Sequence, residues 1–80
     1  MYQTSKLYLA AALMSAGAGL KSIDRTNPKR MEFMLSYTSP LAEESEWFRN
    51  KIMEWDSQKL YVNAQNFVTN IQTLISEVHK

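Results

Sequence analysis

The chain has 80 residues, no cysteine, a single histidine and a formal net charge of +1. This length predicts one domain over residues 1–80, with a small core and low stability. The lack of cysteine excludes disulfides and thiolate metal sites and fits a reducing compartment, and an apolar fraction of 45% argues against wholesale disorder. The net charge by itself predicts neither a nucleic-acid nor a membrane partner.

The first predicted element is a helix from Lys6 to Ala16, rich in Leu, Ala and Met. Thr4 or Ser5 is expected to cap its start, and Gly17 and Gly19 to end it, because glycine readily adopts the left-handed conformation. The helix is apolar nearly all round, which predicts a central core element or the seam of a homodimer. Its apolar run is too short to span a bilayer and lacks the flanking features of a signal peptide.

Residues 20–35 are predicted to form a β-hairpin that turns at Asn27-Pro28. After the turn the pattern has a period of two, which places four apolar side chains on one face, Met31, Phe33, Leu35 and Tyr37. The first strand is less regular, because Leu20 and Ile23 fall on opposite faces at this spacing. Four basic residues lie on or near the hairpin tip: Lys21, Arg25, Lys29 and Arg30.

A second helix is predicted to start at Ser39-Pro40, with serine as N-cap and proline at the first helical position, and to run to about Trp55. Three acids lie near its start, where the helix dipole favours negative charge: Glu43, Glu44 and Glu46. The apolar stripe of this helix consists of Leu41, Phe48, Ile52 and Trp55. Trp47 and Met53 lie well off the stripe. Trp47 is therefore expected either to be exposed as a binding residue or to pack against the hairpin or the first helix, and Met53 is expected to be exposed.

The third helix has the clearest pattern in the chain. Asn63 is a good N-cap for a helix over 64–78, and Val62 and Phe67 form a hydrophobic staple around it. Apolar residues recur at helical spacing along one face: Ala64, Phe67, Val68, Ile71, Leu74, Ile75 and Val78. Residues 60–62 are compatible with a very short strand before this helix, but three residues are too few to distinguish a strand from a loop.

Together the elements predict an α+β domain of order α-β-β-α-α, in which an antiparallel β-hairpin packs against three helices. The predicted core consists of Leu7, Ala10, Ala11, Met14, Leu20 or Ile23, Phe33, Leu35, Phe48, Ile52, Phe67, Ile71, Leu74 and Ile75.

Several segments carry a resemblance to a known family: Tyr2 to Ser5, Leu7 to Ala11, Ile23 to Arg30 leading into Phe33, Val62 to Ala64, and Phe67. They resemble a small uncharacterised domain family found mainly in phage, prophage and other mobile-element genomes. The sequence departs from the family at Lys6, where an acid is common, and in the longer acidic helix over 43–55. The resemblance implies a phage-like origin, a compact α+β fold and a location in the cytoplasm of a bacterial host, and it assigns no catalytic residue.

Catalytic chemistry finds little support in the sequence, so the protein is predicted not to be an enzyme and to need no metal or cofactor. The only histidine, His79, is penultimate, which argues against histidine catalysis and transition-metal sites. Gly17 to Gly19 lacks the length and context of a phosphate loop. The acids of the second helix are expected on its solvated face rather than as general acids or Mg²⁺ ligands.

Two classes of function remain open, and both are retained as hypotheses. In the first, the chain is a protein-interaction module that binds a host or phage protein, as anti-CRISPR inhibitors of bacterial defence do. The predicted binding residues lie on the second helix: Trp47, Glu43, Glu44, Arg49 and Lys51. In the second, Lys21, Arg25, Lys29 and Arg30 bind phosphates as a basic β-ribbon, although no aromatic residue lies among them to stack a base.

Overall fold

The computed structural model describes residues 1–80 and contains three helices and one three-stranded antiparallel sheet. The elements in chain order are β1 (Tyr2–Thr4), α1 (Leu7–Ser15), β2 (Gly19–Asp24), β3 (Glu32–Ser36), α2 (Glu44–Asp56) and α3 (Ala64–Val78). The predicted α+β class is confirmed, and so is the order α-β-β-α-α of the helices and the hairpin. The strand order in the sheet is β1-β3-β2, so β3 is central and the hairpin β2–β3 gains a third strand.

The added strand β1 pairs with β3 so that Tyr2 lies opposite Leu35 and Thr4 lies opposite Phe33. Thr4 therefore belongs to the sheet, and the prediction that Thr4 or Ser5 caps α1 is wrong. The N-cap is Lys6, which provides no side-chain bond to the helix. The Thr4 hydroxyl oxygen instead accepts a hydrogen bond from the backbone N–H of Lys6 at 3.1 Å, which fixes the turn from strand to helix.

A β-bulge at Lys21 corrects the predicted register of β2. Leu20 lies opposite Leu35 and Ile23 lies opposite Phe33, with a register shift between Leu20 and Ser22. Directly paired residues of an antiparallel sheet share a face, so Leu20 and Ile23 point to the same side instead of to opposite sides. Both pack against the core, because their partners Phe33 and Leu35 are buried.

Helix α1 lies at the centre of the core and packs mainly against α3. Its side chains from Leu9 to Leu13 are all buried within one chain. The uniformly apolar surface of α1, which suggested a dimer seam, is therefore buried within a single chain. A homodimer remains a prediction. At the end of α1, Gly17 has a φ of 130°, and the N–H of Ala18 bonds to the carbonyl of Leu13 at 3.0 Å.

Most of the predicted core is confirmed, with one error and four omissions. Ile75 is 43% exposed and does not belong to the core. Four further apolar residues are buried although they were not predicted: Leu9, Ala12, Leu13 and Ala18.

Helix α2 starts later than the sequence suggests, so the prediction of a start at Ser39-Pro40 is wrong. The Ser39 hydroxyl oxygen accepts a hydrogen bond from the N–H of Leu41 at 3.1 Å, which stabilises a turn. The helix begins at Glu44, with Glu43 as N-cap, and Leu41 lies outside the helix with 93% of its surface exposed. Phe48 is buried, while Ile52 and Trp55 pack against the core as predicted.

Helix α3 begins as predicted, with the side-chain oxygen of Asn63 accepting a hydrogen bond from the N–H of Asn66 at 3.0 Å. The side chain of Asn70 donates to the Ser15 hydroxyl at 2.9 Å and so links α3 to the end of α1. Residues 60–62 do not form a strand. None of the three helices combines the length and apolar character needed to cross a bilayer.

Candidate functional site

A groove with a volume of about 360 Å³ lies between the start of β1 and one side of α2. Two adjacent rows of α2 residues, each spaced by four, form one wall: Glu44, Phe48 and Ile52, and Ser45, Arg49 and Met53. Met1 and Tyr2 form the opposite wall. The groove is open to solvent at two apolar side chains, because Met1 is 68% and Met53 is 61% exposed.

The floor of the groove is aromatic. The rings of Tyr2 and Phe48 are stacked with their centroids 5.3 Å apart and an interplanar angle of 23°. Tyr2 faces the helices because it lies opposite buried Leu35 in the sheet. The stack therefore fixes the distance between β1 and α2, and the groove is preformed by the same contacts that hold the fold together.

The charged side chains on and near the rim of the groove differ in whether they have a partner within the chain. The Glu44 carboxylate pairs with the amino group of Met1 through Oε1, and its Oε2 accepts a hydrogen bond from the N–H of Tyr37 at 3.0 Å. Lys51, on a different side of α2, pairs with Glu54 at 3.1 Å. Arg49 is exposed and forms neither an ion pair nor a side-chain hydrogen bond, so its guanidinium faces solvent with all its donors available.

The structure brings together two of the five residues predicted to bind a protein. Glu44 and Arg49 line the groove, whereas Glu43 is exposed at the N-cap of α2 and Lys51 is paired with Glu54. Trp47 is half-buried rather than exposed. Its indole stacks on the ring of Tyr37 with centroids 3.9 Å apart.

Six residues of the groove are not among the predicted binding residues: Met1, Tyr2, Ser45, Phe48, Ile52 and Met53. Tyr2 belongs to β1, the strand that the sequence did not reveal, whereas four of the six lie on α2. The position of Met53 off the apolar stripe correctly predicts its exposure. Phe48 and Ile52 were predicted as core residues, and each also presents part of its surface to the groove. A residue that serves both the core and a surface groove gives no separate signal in the sequence pattern.

Arg25, the central basic residue of the hairpin tip, is engaged within the chain and is not free to bind a phosphate. The guanidinium of Arg25 donates hydrogen bonds to the carbonyl of Glu77 at 2.6 Å and to the carbonyl of Val78 at 3.1 Å. These carbonyls belong to the last turn of α3, where a cation is favourable because of the helix dipole. Lys29 and Arg30 remain exposed in the turn, and Lys21 is exposed at the bulge of β2.

Asp24 closes the base of the same turn. The pKa of the Asp24 carboxyl lies below its usual value of 3.8 because Thr26 donates two hydrogen bonds to it. The larger effect comes from the side chain of Thr26 and the smaller from its backbone N–H, at 2.9 Å. Asn27 orders the tip itself, since its side-chain oxygen accepts from the N–H of Lys29 at 3.0 Å. Both acceptors serve local turn structure.

A second apolar depression, with a volume of about 400 Å³, lies at the segment that joins α2 to α3. Its lining is entirely apolar: Trp55, Leu60, Tyr61, Val62, Ala64 and Phe67. The predicted staple residues Val62 and Phe67 thus share one surface. No charged side chain contributes to this depression, so its composition does not select a partner.

No group of three or more histidine, cysteine, aspartate or glutamate side chains is placed to hold a metal ion. No family model matches the sequence, and comparison with curated proteins and with solved structures finds no match. What the site can bind therefore follows only from the geometry and chemistry of its own residues.

Proposed function

We propose that this chain is a non-enzymatic protein-interaction module that binds its partner through the groove between β1 and α2. The observation that carries this proposal is the combination of two exposed methionines, an aromatic floor and an unpaired arginine in one preformed concavity. Methionine, arginine and aromatic residues are enriched at protein interfaces. A flexible thioether adapts to the shape of a bound side chain, and the stacked floor supplies rigid apolar area.

The basic hairpin supports the competing nucleic-acid function less well. Arg25 directs its guanidinium to two backbone carbonyls of α3, and only Lys21, Lys29 and Arg30 of the predicted set remain free. Binding to phosphates gains from each additional free cation and is weakened steeply by salt. The groove, in contrast, offers apolar area whose contribution to binding is not screened by salt.

The finer part of the proposal concerns origin and partner. The resemblance to phage and mobile-element domains supports a role in the cytoplasm of a bacterial host. Small phage-encoded interaction modules commonly block host proteins, so a defence protein of the host is the partner class that we propose, as for anti-CRISPR inhibitors. This part rests on the resemblance, whereas the location of the binding surface rests on the groove.

Affinity capture from a bacterial lysate, with and without nuclease, tests the proposal. The bait is the wild-type chain, Met53→Glu, or the matched control Leu41→Glu. Both substitutions place the same charge at an exposed apolar position, but only Met53 lines the groove. We expect the same protein to be captured in the presence of nuclease by the wild-type chain and Leu41→Glu, and to be lost with Met53→Glu.

Two results would contradict the proposal. Loss of every captured species after nuclease treatment would give the lead to the nucleic-acid function. Equal capture by Met53→Glu and the wild-type chain would show that the partner binds elsewhere on the surface.

A further inference from the structure

The charge balance at the groove identifies the chemistry of the segment that fits it. The charge of Glu44 is balanced by the amino group of Met1, and its second carboxylate oxygen accepts a hydrogen bond from the N–H of Tyr37. Ser45, the other polar residue of the lining, is uncharged. Arg49 is therefore the single charged group of the groove whose charge is not compensated within the chain.

Arg49 lies directly beside apolar surface. It is four residues from Met53 on the same row of α2, and its neighbours in the groove include Phe48 and Ile52. A planar guanidinium forms two parallel hydrogen bonds with a carboxylate, which a lysine cannot do. The groove also favours a large apolar group, because binding it removes the exposed surface of Met1 and Met53 from water together with that of the bound group.

We propose that the groove binds a short acidic segment of a partner protein, with one large apolar side chain on the Tyr2–Phe48 floor and an adjacent carboxylate on Arg49. This inference rests on the proposed function and names the partner's recognition chemistry. A volume of about 360 Å³ lies near the lower end of the range for small-ligand pockets, which suits one anchoring side chain rather than a whole domain surface.

The test titrates two probes of similar size, the carboxylate N-acetyl-leucine and its neutral amide, into the isotope-labelled 80-residue chain and follows binding by NMR. We expect both probes to shift the amide signals of Ser45, Arg49 and Met53 at millimolar concentration. The carboxylate probe should bind about threefold more tightly than the amide, as is typical of one solvent-exposed ion pair.

Three variants identify the group responsible for the preference. Arg49→Gln should abolish the difference between the two probes, Arg49→Lys should retain part of it, and Arg30→Gln should leave it unchanged. Arg30→Gln is the matched control because it removes the same charge from an exposed position in the hairpin turn. Equal binding of the two probes to the wild-type chain, or shifts confined to the hairpin turn, would overturn the inference.

The result separates this inference from the proposed function. If a partner is captured in a Met53-dependent manner but the probes show no preference for the carboxylate, the interaction module stands and its acidic ligand is wrong. If the probes bind the groove as expected but nuclease removes every captured species, the groove recognises the acidic apolar chemistry and the proposed function is wrong.

Discussion

The indole of Trp47 stacks on the ring of Tyr37, with the two planes 6° from parallel and their centroids 3.9 Å apart. Tyr37 directly follows the central strand β3, and Trp47 lies near the start of α2. The same indole meets the ring of Phe48 edge-on at 5.1 Å. The stack thus ties α2 to the end of the sheet and places α2 beside β1, which creates the groove.

Trp47→Ala is expected to lower the free energy of unfolding by about 2–4 kcal/mol, because the substitution removes a half-buried aromatic ring and its stacking contact. Urea denaturation followed by circular dichroism measures the change. A double-mutant cycle with Tyr37→Leu should give a coupling energy of about 0.5–1.5 kcal/mol. Leu41→Ala, at a fully solvated position, should change stability by less than about 0.5 kcal/mol. An unchanged midpoint for Trp47→Ala would show that the stack does not support the fold.

Adjacent residues of α3 provide a test of which face is buried. Leu74 is fully buried, whereas its neighbour Ile75 is 43% exposed. Leu74→Ala should lower the free energy of unfolding by about 2–5 kcal/mol, and Ile75→Ala should cost roughly 1 kcal/mol or less. Thermal unfolding of both variants measures the difference. Similar losses for both would mean that the predicted, wider apolar stripe of α3 is the one that packs.

The apolar stripe of α3 illustrates how far sequence periodicity determines the fold. A period of 3.6 correctly predicts that Leu74 and Ile71 face the core, but the stripe is wider than the area that α1 covers, and Val68 and Ile75 remain exposed. The pattern of α1 is apolar all round, so periodicity could not select Leu9 and Leu13 as core residues.

The groove could be predicted only in part, for a similar reason. Strand β1 has three residues and becomes a strand only because β3, thirty residues later, provides its partner. No local pattern reveals such a pairing, so the sequence does not predict that Met1 and Tyr2 form one wall of the groove. Arg49 and Glu44 were predicted, because charges on a helix surface are visible in the sequence.

The connection after α2 contains one non-glycine residue with a left-handed backbone conformation, Gln58, at which glycine should be more stable. Gln58 has a φ of 59°, and the N–H of Lys59 bonds to the carbonyl of Glu54 at 2.7 Å, as in a helix end that normally uses glycine. Gln58→Gly should raise the free energy of unfolding by about 0.5–1 kcal/mol, since glycine adopts this conformation without a Cβ clash. Urea denaturation tests this, with Ser57→Gly as a control that should be neutral or destabilising. A loss of stability in Gln58→Gly would contradict the left-handed conformation of Gln58.

The ionisation of Asp24 makes the stability of the hairpin turn depend on pH in the acid range. Its pKa is lowered by the hydrogen bonds from Thr26, so the carboxylate favours the folded state above the pKa of the unfolded chain, and this contribution is lost as the pH falls through the folded pKa. Thr26→Val removes the hydroxyl donor and should raise the Asp24 pKa toward 3.8, as measured by an NMR titration of its carboxyl carbon. Thr38→Val, outside the turn, should have no effect. An unchanged Asp24 titration in Thr26→Val would mean that the hydroxyl does not donate.

Arg25 provides the sharpest distinction between a structural and a phosphate-binding hairpin. Arg25→Ala removes two charge-assisted hydrogen bonds from the last turn of α3, so the free energy of unfolding should fall by about 1 kcal/mol. Amide hydrogen exchange should accelerate selectively over residues 75–80. Arg25→Lys should recover only part of the loss, because an ammonium group lacks the fork that reaches both carbonyls.

Lys29→Ala and Arg30→Ala are the matched controls for Arg25, since they remove the same charge from the same turn without touching α3. Each should change stability by less than about 0.5 kcal/mol and leave hydrogen exchange of α3 unaltered. If all three substitutions had equal effects, the contribution of Arg25 would come from the general charge of the turn. Selective loss with Arg25→Ala would instead show that the most central cation of the hairpin tip holds the end of a helix.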